Sequence, residues 1–562
     1  MEQTKARVWN GKIVAQVPYE EKNKITGCRT VMGYKFVRHQ TDRGEVPYWE
    51  LPYSPITAKL FHEDFDNVQF LDNGELEELY KKYKNALEAK TETDLPHTLP
   101  GLKATNPRTG EPLQPWLHQR QAYYFGMNLP GVMLAFDMGT GKSLTAVSLT
   151  VNTDHDMVCI LCPKSVMPVW SREFEYAENY EDMLFYVATG ARSVKNKASE
   201  LARQIRVAKA KNKKFIAVVN YDIAWRDEMK KTLLGYDWDV LILDEIQRIK
   251  NPSNTAKASK FASKLAEQSK KRLGLTGTPM PHSPLDIFAQ YRALDPAIFG
   301  TNYHRFKMRY AYMGGFNGKE VVGFKNQEEL SEKFHSIAIQ ASKSVLNLPE
   351  AMHTYRSFTL TKKARQIYDS LDKQLYAEIE QGSISPANAM VKVLRLQQLT
   401  SGHQVLDDNK EIVQMDTGKR DLLYDLLQDF PQDEPIVVFC RFQQDLMNIQ
   451  RCAEKIGRPC SELSGRANQL EEWQNGNSTI LAVQIRSGGV GIDLTRAAYC
   501  IYYSIGHSLG DYLQSLDRIH RHGQQRSVTY YHLIAEKTID EKVYRALQQK
   551  KEVIDAILNM EV

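Results

Sequence analysis

Residues 132–150 read VMLAFDMGTGKSLTAVSLT: an apolar run, a glycine-rich turn, then a stretch with helical periodicity. A strand that turns sharply into a helix places backbone N–H groups and the positive helix end around one point, where a phosphate fits. Gly139, Thr140 and Gly141 form the turn, Lys142 is placed to reach the β/γ-phosphates, and Ser143 to bind Mg²⁺. The strict pattern asks for glycine at position 136, where this chain has Phe136. A relaxed match of this kind also serves as a purely structural turn, so its neighbours must decide.

Outward from the turn, apolar strands alternate with helical stretches: VMLAFD, MVCILC, FIAVVN, DVLILD and RLGLTG. That alternation predicts a parallel sheet with helices on both faces. DVLILD runs into Asp244 and Glu245, two carboxylates at the end of a strand, where α/β sheets bind ligands. Asp244 is placed to hold Mg²⁺, and Glu245 to orient and deprotonate an attacking water. An ordinary acidic turn is the alternative. LTGTP (275–279) adds the hydroxyls of Thr276 and Thr278 at the same edge, and the amide of Gln119, in LQPWLHQRQA, suits an adenine edge.

The strand pattern returns after residue 415 as IVVFC, TILAVQI, YCIYYS and VTYYHLI, and closes on an amphipathic helix, TIDEKVYRALQQKKEVIDAIL. The expected organisation is α/β: a β-rich module with a helix over 1–95, an α/β lobe over 96–300, a helical bridge over 301–415, and a second α/β lobe over 416–562. A length of 562 residues suits roughly three to four domains. With 73 basic and 68 acidic residues the net charge is only +5, which neither demands nor excludes a nucleic acid. Seven cysteines are sparse, and the close pair Cys159 and Cys162 lies in a strand, so structural zinc is not expected and an intracellular, reduced chain is. The start, MEQTKARVWNGK, lacks an apolar core, and no apolar run is long enough for a membrane.

DMGTGKS, CPKSVMPVWSREF, LDEIQRIKN, LTGTP, TGKRDLLYDLL, SGGVGIDLT and QSLDRIHRHGQ follow in this order over residues 110–550. The set resembles the Swi/Snf-related DNA translocases of helicase superfamily two. The resemblance implies two RecA-like lobes with ATP and Mg²⁺ between them. It makes Arg518 and Arg521, expected on one turn of a helix spanning 511–522, the fingers that meet the γ-phosphate on closure. It implies ATP contacts at Gly491 and Asp493, coupling roles for Gln247 and Gln514, and DNA contacts at Lys164, Ser165, Gly488, Gly489 and Thr495. Lys164 also reads as an ordinary solvated lysine after a strand. Departures from the family pattern are DEIQ in place of DEAH, GHSLGD (506–511) in place of a Trp-Asn-Pro stretch, and a single basic residue, Lys343, in IQASKSVLNLP.

The front stretch PYEEKNKITGCRTVMGYKFVRHQTDRGEVPYWELPYSPITAKLF is weakly similar to the HARP-type module of annealing helicases. It offers Lys35, Arg38, Arg43 and Trp49 toward branched or single-stranded DNA, although for Trp49 and Tyr53 the favoured reading is that they fill a small β core. The compact chain resembles bacterial and phage members, with a cytoplasmic location implied. The expected function is a DNA-dependent ATPase that translocates on duplex or branched DNA without sequence preference. A strand-separating DNA or RNA helicase, and an ATP-gated nucleic-acid-binding module, are the alternatives.

Overall fold

Each of those five apolar runs is a strand of one parallel sheet in the computed structural model. The structure describes residues 3–26, 34–41, 44–151, 156–253, 255–315, 318, 320–380, 386–405, 411–486 and 492–560. The chain forms two compact units, Met1–Ser342 with Ile557–Val562, and Lys343–Ala556.

The first unit is built on seven strands in the spatial order Ala338–Ala341, Gly131–Phe136, Ser269–Thr276, Trp238–Asp244, Met157–Cys162, Lys214–Asn220, Met183–Val187. All six pairings are parallel. Met157–Cys162 is buried along its whole length, as expected of a strand covered on both faces. Cys159 and Cys162 are both free thiols there. The β-rich front module belongs to this unit. Its strands lie in the order Lys35–Thr41, Gly44–Pro52, Lys12–Gln16, Thr4–Trp9, Val68–Phe70. Asn10 and Gly11 turn the first hairpin with φ of 49° and 69°, the left-handed pair that a two-residue β-turn requires. The Ser54 hydroxyl caps the helix Pro55–Glu63 and also donates to Asp295 Oδ2 at 2.5 Å, tying module to lobe. The helix Glu75–Ala89 buries Leu76, Leu79 and Tyr83. Tyr80, the fourth residue of that stripe, is half-buried and stacks on His62.

The second unit has six parallel strands in the order Ala351–Phe358, Val528–Ala535, Tyr499–Tyr502, Ile436–Cys440, Ile480–Gln484, Cys460–Leu463. Its core joins Val438 and Ala482 from the sheet to Leu423, Leu446 and Ile449 from the flanking helices. The stretch 301–415 is shared between the units: Ala338–Ala341 pairs in the first sheet and Ala351–Phe358 in the second. Among the described residues no helix is long and apolar enough to cross a membrane.

Candidate nucleotide site

The registers Thr276↔Ala135 and Asp244↔Leu275 align three strand ends at one edge of the first sheet. The glycine-rich turn leaves the first of these ends. Gly139 and Gly141 adopt φ of 86° and 84°, where a side chain is strained. A Cβ on Gly141 would also meet Gln119 Nε2 at 2.1 Å. The turn is braced from below: the Thr140 hydroxyl donates to Asp137 O at 2.7 Å, and the Thr140 carbonyl is 2.8 Å from the His118 ring. Phe136, at the position where the strict pattern asks for glycine, is fully buried and meets His118 edge-on, so it belongs to the core. Lys142 Nζ donates to the Phe136 and Asp137 carbonyls at 2.7 and 3.1 Å, which holds the ammonium over the turn. Lys142 and Ser143 open the helix Lys142–Val151, and both are half-buried.

Gln119 is 2% exposed, and both ends of its amide are engaged. Its Oε1 accepts from Trp116 N at 2.8 Å, and its Nε2 donates to Gly141 O at 3.2 Å. It props the turn.

At the neighbouring strand end, Asp244 Oδ2 accepts from Trp170 Nε1 at 3.1 Å and the Asp244 carbonyl from Tyr221 OH at 2.9 Å. Burial, and then the Glu245 charge beside it, push the Asp244 carboxyl well above the usual range, against the opposing pull of Trp170 and Lys142. Glu245 is buried and left-handed, with φ of 51°, a strained conformation for a residue with a side chain. Its Oε2 accepts from Gln247 Nε2 at 2.5 Å; that amide also lies 3.5 Å from Thr278 Oγ1, and Thr278 N donates to Thr276 Oγ1 at 2.9 Å. Glu245, Gln247, Thr278 and Thr276 therefore form one chain of polar contacts across two strand ends. Gln247 Oε1 is buried with no partner within this set. Lys164 and Ser165 are exposed on the turn after Met157–Cys162, at the same edge of the sheet.

In the second unit the helix carrying Gln514 ends at Leu516, so the expectation of a continuous helix over 511–522 is corrected. Arg518 and Arg521 lie on irregular turns beyond it. The reason is carbonyl capture. Leu516 O accepts from Tyr530 OH, Arg518 O from Leu494 N, Ile519 O from Gln524 Nε2, and His520 O from Lys343 Nζ. The bonds at the Arg518, Ile519 and His520 carbonyls take the place of those a continuing helix would make, whereas Leu516 O also keeps the helical bond from His520 N at 3.2 Å. Arg518 is buried, at 1% exposure, and Arg521 is half-buried with Nη1 donating to Ile492 O at 3.3 Å. They do not share a helix face. Lys343, the basic residue left in its segment, pairs with Asp517.

Gln524, the last residue of QSLDRIHRHGQ, staples this turn. Its amide donates to Ala497 O at 2.9 Å and Thr495 O at 3.1 Å as well as to Ile519 O. Asp493 is exposed and accepts from Thr495 N and Oγ1 at 2.9 and 2.7 Å. Gln514 is half-buried. Gly488, Gly489 and Gly491 lie outside the described residues.

In the front module Lys35 and Arg38 are both exposed. Three apart on one strand, they point to opposite faces, opposite Glu50 and Pro47 respectively, so the structure does not bring them together. Arg43 lies outside the described residues. Trp49 is half-buried against Phe36 and Tyr34, at ring separations of 5.0 and 5.7 Å, whereas Tyr53 is 38% exposed and is not core.

Comparison with known proteins follows the same two blocks. A model of the SNF2-related domain matches residues 66–405, and one of the Helicase conserved C-terminal domain matches 418–523. Protein p41 of Acyrthosiphon pisum secondary endosymbiont phage 1 is 26% identical over 63% of this chain and 79% of its own. The "SWI/SNF-related matrix-associated actin-dependent regulator of chromatin subfamily A-like protein 1 homolog" of Caenorhabditis elegans is 25% identical over 84% and 68% respectively. The solved Sulfolobus solfataricus SWI2/SNF2 ATPase core in complex with dsDNA aligns with a TM-score of 0.37 and 22% identity, covering 82% of this chain and 95% of that one.

Proposed function

Since the chain belongs to the SNF2-related domain family, we propose that it is a DNA-dependent ATPase whose hydrolysis drives movement along duplex or branched DNA without sequence preference. The observation that supports this most directly is the shared sheet edge of the first unit, where the phosphate turn, Asp244, Glu245 and the Thr276–Thr278 turn meet. Lys142 and the turn amides bind the β/γ-phosphates of ATP. Glu245, oriented by Gln247, takes the proton of the attacking water. Arg518 and Arg521 stabilise charge on the transferred phosphoryl group when the second unit closes on the first, a contribution of about a thousandfold or more. Lys164, Ser165 and Thr495 contact the DNA backbone.

Asp244 and Ser143 fit a magnesium ion. They present only oxygen donors, and Asp244 stands next to the Glu245 carboxylate, acidic charge that a cation would neutralise. Bound there, magnesium supplies positive charge to the phosphate oxygens.

ATP turnover with single-stranded, duplex and branched DNA, each at two salt concentrations, tests the reading. Turnover is expected to be low without DNA and strongly stimulated with it. Glu245→Gln is expected to lower stimulated turnover at least about a hundredfold while ATP still binds. Equal turnover with and without DNA would refute the proposal, and release of a strand from a forked duplex would assign strand separation instead.

A further inference from the structure

On the first unit a recess of about 680 Å³ opens between the helices Asp227–Leu234 and Lys257–Glu267. One wall carries Arg226 and Lys230, one helical turn apart. The other carries Lys257, Lys260 and Lys264, spaced so that all three lie on one face. All five are exposed. None forms an ion pair among the described residues, and the single acidic residue of the lining is Asp227. The Trp225 indole stands between the walls, with Lys257 Nζ at 4.8 Å and the Arg226 guanidinium at 5.9 Å from its ring centre. Arg226 Nε is also fixed, donating to Asp222 O at 3.2 Å.

Two rows of like charge facing one another raise the energy of the folded chain, and like-charged neighbours on a helix are unfavourable on their own. Nothing in the fold requires them, because Phe261 and Met229 already supply the packing beneath. The arrangement calls for an anion, and its length says which kind. Lys257 to Lys264 spans about 10 Å of helix, at 1.5 Å per residue. That covers about three phosphates of one nucleic-acid strand, at roughly 3.4 Å each along the axis. Because cations already crowd the indole, the recess reads backbone and not bases.

We propose that this recess is a phosphate-backbone site for nucleic acid, separate from the turn at Lys164 and outside the ATP machinery. The identity of the polyanion rests on the functional reading above, whereas the unpaired cationic recess stands on geometry. Its role is to hold a segment of DNA while the nucleotide cycle moves another.

The test uses the full chain and the triple variant K257Q/K260Q/K264Q. Duplex binding is followed by fluorescence anisotropy between about 50 and 200 mM salt, beside ATP turnover at saturating DNA. The variant is expected to lose affinity at least about tenfold, and the slope of log affinity against log salt to become shallower by about 2 to 3, near 0.9 for each lost phosphate contact. Saturated turnover is expected to stay unchanged. The thermal midpoint is expected not to fall, since the substitutions relieve repulsion. An unchanged slope and affinity, in a chain whose turnover DNA still stimulates, would overturn this site and leave the functional reading standing. A wild-type chain that neither binds DNA nor responds to it would overturn both. Poly-glutamate displaced by the same substitutions as strongly as DNA would assign the recess to an acidic protein and refute the nucleic-acid assignment.

Discussion

Asp244 and Glu245 are adjacent in sequence yet meet different constraints. Glu245 is held by a left-handed backbone and one amide, whereas Asp244 is half-buried beside that charge and supported by an indole N–H. Its carboxyl is raised by burial first and by Glu245 second. The folded state therefore binds this proton more tightly than the unfolded chain does. Between the ordinary carboxylate range and the raised value, stability falls as pH rises, because the ionised form carries the penalty. Asp244→Asn removes that charge. Its effect on the urea midpoint is expected to shift in the stabilising direction as pH rises through this window. A difference from wild type that stays constant with pH would contradict the assignment. Glu245 and Asp244 were legible in LILDE because a strand ending in acid is a local signal. Trp170 and Tyr221 were not. Trp170 reaches Asp244 across 74 residues, and nothing in VWSREF says which strand end its N–H will face.

At the scale of elements, strand and helix periodicity predicted the parallel sheets well where strands are central. Met157–Cys162 and Ile436–Cys440 are apolar throughout because both faces are covered. Ala351–Phe358 is not legible in the sequence, because it is an edge strand whose residues are mostly exposed and it carries no apolar run. The arginine turn departs from its local pattern for a different reason. Three-residue spacing suggests a helix, but helix continuation depends on the Arg518, Ile519 and His520 carbonyls, which tertiary donors claim. Gln524 is central to that competition, with three carbonyls on one amide. Gln524→Leu leaves them without their donor in a buried place, at about 1–3 kcal/mol for each bond that water cannot replace. The expected outcome is a loss of about 2–4 kcal/mol in urea unfolding of the second unit, together with reduced ATP turnover as the arginines lose their placement. A Gln524→Leu protein with wild-type stability would show that the staple is incidental.

The whole chain crosses between its two units twice, at 342/343 and again at 556/557. The second crossing is made by the helix Ile539–Leu558, whose last residues return to the first unit. There Ser331 Oγ donates to Ile557 O at 2.6 Å, and the Leu558 carbonyl is 3.1 Å from the His335 ring. Ile557 is fully buried. If hydrolysis depends on one unit closing on the other, a second link, anchored non-covalently at Ile557, restricts how far they can separate and raises the effective concentration of each near the other. Deleting residues 557–562 removes the tether's anchor while leaving Lys142, Glu245, Arg518 and Arg521 in place. The lost Ile557 side chain alone costs the first unit about 2–3 kcal/mol of burial. Nucleotide binding, a property of the first unit's turn, is expected to persist at wild-type affinity. DNA-stimulated turnover, which needs both units, is expected to fall about tenfold or more. ATP affinity by equilibrium titration and turnover with saturating duplex separate the two effects. Loss of both in parallel would show that the tail only folds the first unit, whereas loss of turnover alone places it in the coupling between units.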